Sequence, residues 1–337
     1  MPHLSSREIR LKNRPVGLPG PDTFELAEIE LGSPADGEIL VRNQWMSVDP
    51  YMRGRMIDQP SYIPPFQVGQ ALEGGAIGEV IESAAEGFAP GDLVMSMYGW
   101  REAYIATPRA PMVTKLPKIP GVPVQAFLGV LGVTGLTAYA GLLAIGEPKP
   151  GETVFVSGAA GAVGSIAAQI AKIKGCTVIG TAGTDEKCEW LRNAGVDHAI
   201  NYRTCGKLLD AVRSAAPDGI DVYFDNVGGE HLEVALELSR PLGRFVECGM
   251  ISMYNDEEPP AGPPNLVNVI SRSLKVQGYV VSNYFHMQPE FLKDVSAWMA
   301  EGRLKAEETV VEGIEAAPEA FLTLFSGGNT GKMLVKL

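Results

Sequence analysis

Three glycines, Gly158, Gly161 and Gly164, follow an apolar run and open a stretch with helical periodicity. A turn without side chains lets backbone N–H groups approach a pyrophosphate at the positive end of a helix. The spacing is GxxGxxG rather than the common GxGxxG, and a glycine triplet alone could be a structural tight turn. Its position between a strand and a helix predicts a dinucleotide-binding turn. The residues predicted to contact the pyrophosphate are Gly158, Ala160, Gly161, Ala162, Val163 and Gly164.

The second predicted strand ends in small, uncharged residues up to Gly183. An NAD site usually carries Asp or Glu at this strand end, where it binds the ribose hydroxyls. Asp185 comes late and is predicted to cap the following helix. Lys187 can offer positive charge to a 2′-phosphate, although a solvated helix residue explains it equally well. The missing acid therefore favours NADPH over NADH.

The elements that must position these residues fall into two types. The first part of the chain reads as short strands with frequent Pro and Gly, which is typical of a twisted antiparallel β domain. From Gln125 onward strands alternate with helices, and this alternation predicts a parallel sheet covered on both faces. The predicted fold class is α/β, with residues 1–124 and 285–337 in the β-rich domain and residues 125–284 in the parallel-sheet domain.

Composition excludes several classes of protein. The formal net charge of -12 argues against a nucleic-acid partner, because polyanion binding needs a basic surface. The four cysteines form no C-x-x-C pair, and the polar N-terminus shows no secretory signal, so we expect reduced thiols and a cytoplasmic location. The uncharged run 122–146 is interrupted by glycines and predicts a pair of buried helices rather than a membrane span.

Six segments occur in an order that resembles a known family. They are Val48-Asp49-Pro50-Tyr51-Met52-Arg53-Gly54-Arg55-Met56, the glycine turn 158–165, Glu186-Lys187-Cys188, Asn226-Val227-Gly228-Gly229, Gly249-Met250-Ile251-Ser252-Met253-Tyr254-Asn255 and Gly328-Asn329-Thr330-Gly331-Lys332. Together they resemble the leukotriene B4 12-hydroxydehydrogenase, prostaglandin reductase and 2-alkenal reductase family of zinc-free medium-chain dehydrogenase/reductases, with its curcumin-reductase-like branch. The resemblance covers nearly the whole chain.

The resemblance implies a GroES-like catalytic domain, a Rossmann domain, a homodimer and NADPH as the cofactor. It implies reduction of the carbon–carbon double bond of α,β-unsaturated aldehydes and ketones. By position, Lys187 and Tyr202 would contact the 2′-phosphate and Asn329 would help to hold the cofactor. Asn226 and Val227 would line the nicotinamide. The remaining cofactor contacts expected in this way are Thr134, Gly183, Gly249 and Ile251.

Zinc ligands are missing where zinc-dependent relatives carry them. The position of the first ligand reads Val48-Asp49-Pro50-Tyr51, and the usual Gly-His-Glu position reads Gly69-Gln70-Ala71. The first 175 residues contain no cysteine, and His3 is their only histidine. Because tetrahedral zinc needs thiolate or imidazole ligands, the sequence predicts no metal site.

Without a metal, a hydrogen-bond donor must stabilise the negative charge that develops on the substrate carbonyl oxygen. Tyr254 is the predicted donor, although it could instead be a core aromatic residue. The predicted apolar substrate pocket consists of Tyr51, Met52, Met253, Tyr254, Val280 and Tyr284. Two alternatives remain at this stage: an NADPH quinone oxidoreductase and a cofactor-binding relative without catalysis.

Overall fold

The computed structural model describes residues 4–109, 112–117, 119, 121–258 and 260–337. Its strands, in chain order, are β1 (Leu4–Leu11), β2 (Phe24–Leu31), β3 (Ile39–Ser47), β4 (Ala76–Ser83), β5 (Leu93–Ser96), β6 (Ala103–Ala106), β7 (Val113–Lys115), β8 (Thr153–Val156), β9 (Thr177–Ala182), β10 (His198–Asn201), β11 (Ile220–Asp225), β12 (Ser239–Glu247), β13 (Lys275–Gly278), β14 (Glu308–Glu312) and β15 (Lys332–Lys336).

Its α-helices are α1 (Met52–Arg55), α2 (Val133–Ala140), α3 (Ala162–Ile173), α4 (Asp185–Asn193), α5 (Leu208–Ala215), α6 (Glu230–Leu238), α7 (Asn268–Ser271), α8 (Gln288–Ala300) and α9 (Ala317–Ser326). Short 3-10 turns span Pro21–Thr23, Val124–Leu128, Ile251–Met253, Val281–Met287 and Ile314–Ala316, and a π-helical turn spans Gly141–Gly146. These elements form two compact units. The first contains Met1–Leu128, Glu308–Asn329 and Met333–Leu337, and the second contains Gly129–Glu307 and Thr330–Lys332.

The first unit is built on a seven-stranded sheet with the order β14-β15-β3-β4-β5-β7, and β6 also pairs with β3. β1 and β2 form a separate antiparallel pair. Its core is aromatic: the Trp100 ring stacks on Phe24 at 6.2 Å and meets Phe321 of α9 edge to face at 6.1 Å. The β-rich first domain predicted from the sequence is confirmed in this sheet.

The second unit contains a six-stranded sheet in the order β10-β9-β8-β11-β12-β13, with parallel pairing throughout. The chain runs outward in one direction from β8 to β10 and in the other from β11 to β13. The order therefore reverses between β8 and β11, where ligands of doubly wound sheets bind. Apolar residues such as Phe155, Tyr223 and Phe245 fill the core beside this point. The Rossmann domain predicted from the sequence is confirmed.

The division between the units differs from the predicted one mainly at residues 285–307, which lie in the second unit; residues 125–128 lie in the first unit and residues 330–332 in the second. Helix α8 accounts for the difference. The buried Phe291 ring of α8 meets Tyr139 of α2 at 5.7 Å, and the Tyr139 hydroxyl donates a hydrogen bond of 2.8 Å to Asp294. The amphipathic pattern of α8 predicted a helix but could not show which unit its apolar face contacts.

The apolar run 122–146 forms three short segments rather than one long helix: the 3-10 turn Val124–Leu128, helix α2 and the π-helical turn Gly141–Gly146. Helix α2 begins at Val133, directly after its N-cap Gly132, which is one of the glycines that interrupt the run. Among the residues that the structure describes, no helix has the length and apolar character needed to cross a membrane.

We expect Gly135→Ala to destabilise the protein. A Cβ atom at Gly135 would lie 2.0 Å from the Val130 carbonyl oxygen, so the backbone must move. Overpacking of this kind costs about 1–3 kcal/mol, and thermal unfolding followed by circular dichroism should show a lower Tm. The matched control is Gly262→Ala in the same unit, where a Cβ meets no atom within 4 Å. Equal melting temperatures for the two variants would contradict the close approach at Gly135.

Candidate functional site

The glycine turn joins β8 to α3 at the point where the strand order reverses. Gly158 has a φ of 57°, in the left-handed region that favours glycine. A Cβ atom at Gly164 would lie 2.4 Å from the Gly158 carbonyl oxygen, so helix α3 can approach the turn only because Gly164 has no side chain. The turn therefore needs Gly158 for its backbone conformation and Gly164 for the close packing of α3.

The N-terminus of α3 suits an anion. Gly161 is the N-cap of this 12-residue helix, no side chain caps the first turn, and that turn contains no acidic residue. Helix N-termini present backbone N–H groups and partial positive charge to a bound phosphate. Gly331 follows Asn329 and donates its N–H to the Ala160 carbonyl oxygen at 2.8 Å, which holds the C-terminal segment against the turn.

The end of β9 carries no acid that could bind ribose hydroxyls. Strand β9 ends at Ala182, and Thr184 is the N-cap of α4, accepting a hydrogen bond from the Lys187 N–H at 3.3 Å. The prediction that Asp185 caps this helix was wrong, because Asp185 is already its first residue. The Asp185 Oδ1 instead accepts a hydrogen bond of 2.7 Å from Asn201.

The Tyr202 hydroxyl and the Arg203 guanidinium lie beside Gly183. A Cβ atom at Gly183 would lie 3.0 Å from the Tyr202 hydroxyl and 3.3 Å from the Arg203 Nε. Burial and, secondly, the positive charge of Arg203 lower the pKa of Lys187. A nearby anion would favour the charged form of Lys187. Lys187 and Tyr202 were predicted here. Arg203 was missed, although it directly follows Tyr202 at the end of the third strand of the parallel sheet.

The carboxylate of Asp225 organises the neighbouring loop. This fully buried group accepts hydrogen bonds through Oδ1 from the Ser157 hydroxyl at 2.7 Å and from the N–H groups of Val227 and Gly228 at 2.8 Å each. Asn226 donates its side-chain amide to the Ser157 carbonyl oxygen at 2.8 Å. Asp225 therefore ties the end of β11 to the end of β8, and the predicted residues Asn226 and Val227 lie beside the glycine turn.

The turn after β12 packs on the same loop. The N–H of Gly249 donates to the Asp225 carbonyl oxygen at 3.1 Å, and the N–H of Ile251 donates to that of Asn226 at 3.2 Å. The Tyr254 hydroxyl accepts a hydrogen bond of 3.3 Å from the Met250 N–H, and a Cβ at Gly249 would lie 3.0 Å from it. The structure thus brings Tyr254 to the loop that contains Asn226 and Val227.

The other residues predicted for the site are distributed over both units. In the second unit, Met253 lies beside Gly228, the Tyr284 ring packs edge to face on Tyr279 at 5.8 Å, Val280 is half-buried and Thr134 is buried in α2. The first unit contains Tyr51, Met52 and Asn329. Met52 is fully buried in the core of that unit, so we correct its expected role from substrate contact to core packing.

No group of three or more His, Cys, Asp or Glu side chains in the described part of the chain is arranged to hold a metal ion. Cys176 and Cys188 are buried, while Cys205 and Cys248 are partly buried. Burial raises the pKa of the Cys176 thiol to about 11, which keeps it protonated at neutral pH.

Comparisons with known proteins match both parts of the chain. A family model described as the N-terminal domain of oxidoreductase matches residues 7–115, and one described as zinc-binding dehydrogenase matches residues 162–301. Prostaglandin reductase 1 of Bos taurus is 42% identical over 327 residues, which are 97% of each chain. The NADP(+)-dependent 2-alkenal reductase of Nicotiana tabacum is 40% identical over 337 residues, with 98% of this chain and 97% of that relative covered.

The fold is similar to that of a solved structure, CurA in complex with NADPH from Vibrio vulnificus. The two chains superimpose with a TM-score of 0.92 at 38% sequence identity, and the match covers 98% of both chains. The chain is therefore similar to each of these relatives over both of its units.

Proposed function

The chain belongs to the alkenal and enone reductase branch of the medium-chain dehydrogenase/reductase family, and we propose that it reduces the carbon–carbon double bond of α,β-unsaturated aldehydes and ketones with NADPH. The observation that carries the proposal is the combination of a glycine turn at the strand reversal with paired cations at the end of β9. The first recognises a dinucleotide, and the second distinguishes its phosphorylated form.

NADPH fits the residues present. Gly158, Gly161 and Gly164 leave the space that side chains would otherwise fill beside a pyrophosphate, as the Cβ contact of 2.4 Å at Gly164 illustrates. Lys187, Tyr202 and Arg203 are the proposed contacts of the 2′-phosphate. The proposal is supported by the closeness of Tyr202 and Arg203 to Gly183 and by the effect of the Arg203 charge on the pKa of Lys187. Asn226 and Val227, next to the turn, would line the nicotinamide. Thr134, Gly183, Gly249, Ile251 and Asn329 complete the proposed cofactor contacts.

When bound, NADPH supplies the hydride that adds to the β-carbon of the substrate. The protein must then stabilise negative charge on the substrate carbonyl oxygen. Tyr254 is the proposed donor, because its hydroxyl accepts from the Met250 N–H and thereby has its oxygen held in place. A tyrosine with an ordinary pKa near ~10 is protonated at neutral pH and can donate. Preorganised donors of this kind lower the barrier because they need no reorientation during the reaction.

Tyr51, Met253, Val280 and Tyr284 are the proposed apolar contacts of the substrate, together with Tyr254. Burial raises the pKa of Tyr51 above its ordinary range, so this phenol stays neutral and acts as an aromatic surface. These side chains favour small apolar enals and enones. We include in the proposal a homodimer located in the cytoplasm and chemistry that needs no zinc, since the sequence has neither cysteine nor histidine at the expected ligand positions.

The direct experiment follows NADPH and NADH oxidation with a panel of 2-alkenals, cyclic enones, aryl enones and quinones. We expect NADPH-dependent turnover with the enals and enones and recovery of the saturated carbonyl product. Turnover restricted to quinones would contradict the proposed reaction. NADPH binding without oxidation across the panel would instead identify a cofactor-binding protein that lacks this catalysis.

We expect Lys187→Ala and Arg203→Ala to weaken NADPH binding by about 1–3 kcal/mol each, the value of a hydrogen bond to a charged group. NADH binding should change little, because NADH has no 2′-phosphate. Isothermal calorimetry with both cofactors measures the difference. The control is Lys293→Ala on the exposed side of α8, which also removes one positive charge. This variant should bind NADPH and NADH with wild-type affinity. Equal losses for both cofactors would contradict the assignment of these cations.

We expect Tyr254→Phe to lower kcat by roughly 10²-fold, the effect of losing one donor to a developing oxyanion. NADPH affinity should be retained because the aromatic ring remains. Steady-state kinetics with an enone, together with NADPH titration, separates the two effects. The control is Tyr98→Phe, whose ring stacks on Tyr104 at 4.7 Å in the first unit. A Tyr254→Phe enzyme with unchanged kcat would remove Tyr254 from the mechanism.

A further inference from the structure

Two buried carboxyl groups lie side by side beneath the proposed nicotinamide loop. Asp225 and Glu247 occupy paired positions on the adjacent parallel strands β11 and β12. The Oδ2 of Asp225 and both carboxyl oxygens of Glu247 are shielded from solvent, and they accept no hydrogen bond of normal geometry from the described residues. The arrangement leaves three buried acceptor oxygens on neighbouring strands, with the Tyr223 hydroxyl close to Asp225.

A proton held between the two carboxyl groups would give their unpaired oxygens a hydrogen bond. Burial, together with the negative charge and hydrogen bonding of Asp225, raises the pKa of Glu247 to about 8. Asp225 already accepts three hydrogen bonds through Oδ1, which leaves Oδ2 as the oxygen available to the Glu247 proton. At neutral pH Glu247 therefore carries the proton and can donate it to the unused Oδ2 of Asp225.

The groups packed around the pair do not supply a compensating positive charge. Burial lowers the pKa of His231 on α6 to about 4, so this imidazole is neutral at pH 7. Burial raises the pKa of Tyr223 on β11, Cys248 after β12 and Tyr279 after β13, and these groups remain protonated. Arg244, earlier on β12, forms an ion pair of 2.5 Å with Glu152.

We propose that Glu247 is a positioning residue whose proton, shared with Asp225, holds the Asp225 carboxylate in the orientation that fixes the loop Asn226–Gly228. This inference rests on the proposed function for its catalytic consequence, although the proton itself does not depend on it. Glu247 acts through Asp225, whose charge and hydrogen bonding, after burial, raise the pKa of the Glu247 carboxyl group.

Loss of the proton places two negative charges in contact in a site from which water is excluded. The simplest relaxation rotates Asp225 away from Glu247, which breaks its bonds to Ser157 and to the N–H groups of Val227 and Gly228. The loop would then lose its fixed position beside the glycine turn. NADPH affinity should therefore fall as pH rises above about 8.

The free energy of unfolding of the ligand-free protein should also depend on the protonation of Glu247. An unfolded glutamate ionises near its ordinary pKa of 4.5, whereas folding holds Glu247 protonated up to about 8. The unfolded state therefore binds fewer protons between these values, and stability falls as pH rises from about 4.5 to about 8. Above about pH 8, Glu247 is ionised in both the folded and the unfolded state, so this pair no longer changes the stability with pH.

Glu247→Gln tests the inference, because the amide donates to Asp225 Oδ2 at every pH. Calorimetry should show wild-type NADPH affinity declining by up to about tenfold per pH unit above about pH 8, the limit for one released proton. The variant should lack this decline, and ligand-free thermal unfolding should lose the matching dependence on pH. An infrared spectrum of the wild type should contain a carboxylic-acid band that Glu247→Gln removes.

Glu237→Gln, on the exposed end of α6, makes the same chemical change and should retain wild-type behaviour. If Glu247→Gln does not fold, Asp225→Asn is the second test variant. Its side-chain amide can donate a hydrogen bond to Glu247, so the decline of NADPH affinity above about pH 8 should be absent here too. Wild-type pH profiles for binding and unfolding in either variant would overturn the shared proton. Altered unfolding with unaltered NADPH binding would overturn the positioning role. If NADPH binding depends on pH as expected but the protein does not reduce enones, the proposed function is wrong and the shared proton is still supported.

Discussion

The Asp225 carboxylate is the interaction on which the rest of the candidate site depends. It lies at the end of β11, where the strand order of the parallel sheet reverses between β11 and its paired neighbour β8. The loops that follow these two strands lie beyond the last paired residues and need a connection of their own. Its Oδ1 supplies that connection by binding the Ser157 hydroxyl and two backbone N–H groups at 2.7–2.8 Å. The turn that contains Tyr254 then packs on the backbone carbonyl oxygens of Asp225 and Asn226.

The energetic balance at Asp225 explains why a second charge beside it matters. Moving one carboxylate out of water costs several kcal/mol, which hydrogen bonds to a charged group, worth about 1.5–3 kcal/mol each, can offset. The hydrogen bonds from Ser157, Val227 and Gly228 all reach Oδ1. An ionised Glu247 would add the cost of a second buried charge without adding a donor. A neutral Glu247 removes that cost and gives Oδ2 a partner, so one proton stabilises both groups.

The sequence predicted those parts of the fold that depend on local pattern. The glycine turn, the apolar strand 153–157 and the uncharged end of β9 each carry their signal within a few residues, and the predicted two-domain fold class is confirmed. Arg203, Asp225 and Glu247 were not predicted because their importance arises from strand register, which brings together positions far apart in sequence. The sequence could not show that α8 packs in the second unit for the same reason, because an amphipathic pattern predicts a buried helix face but does not identify the residues that the face contacts.

Charge distribution connects the site to the whole molecule. A chain with a formal net charge of -12 repels an anionic cofactor at long range, so recognition must come from charges close to the phosphate. We propose that Lys187 and Arg203 provide these charges. The positive charge of Arg203 contributes to the lowered pKa of Lys187. A 2′-phosphate near both groups would favour the charged form of Lys187, whereas a ribose hydroxyl carries no charge and would not.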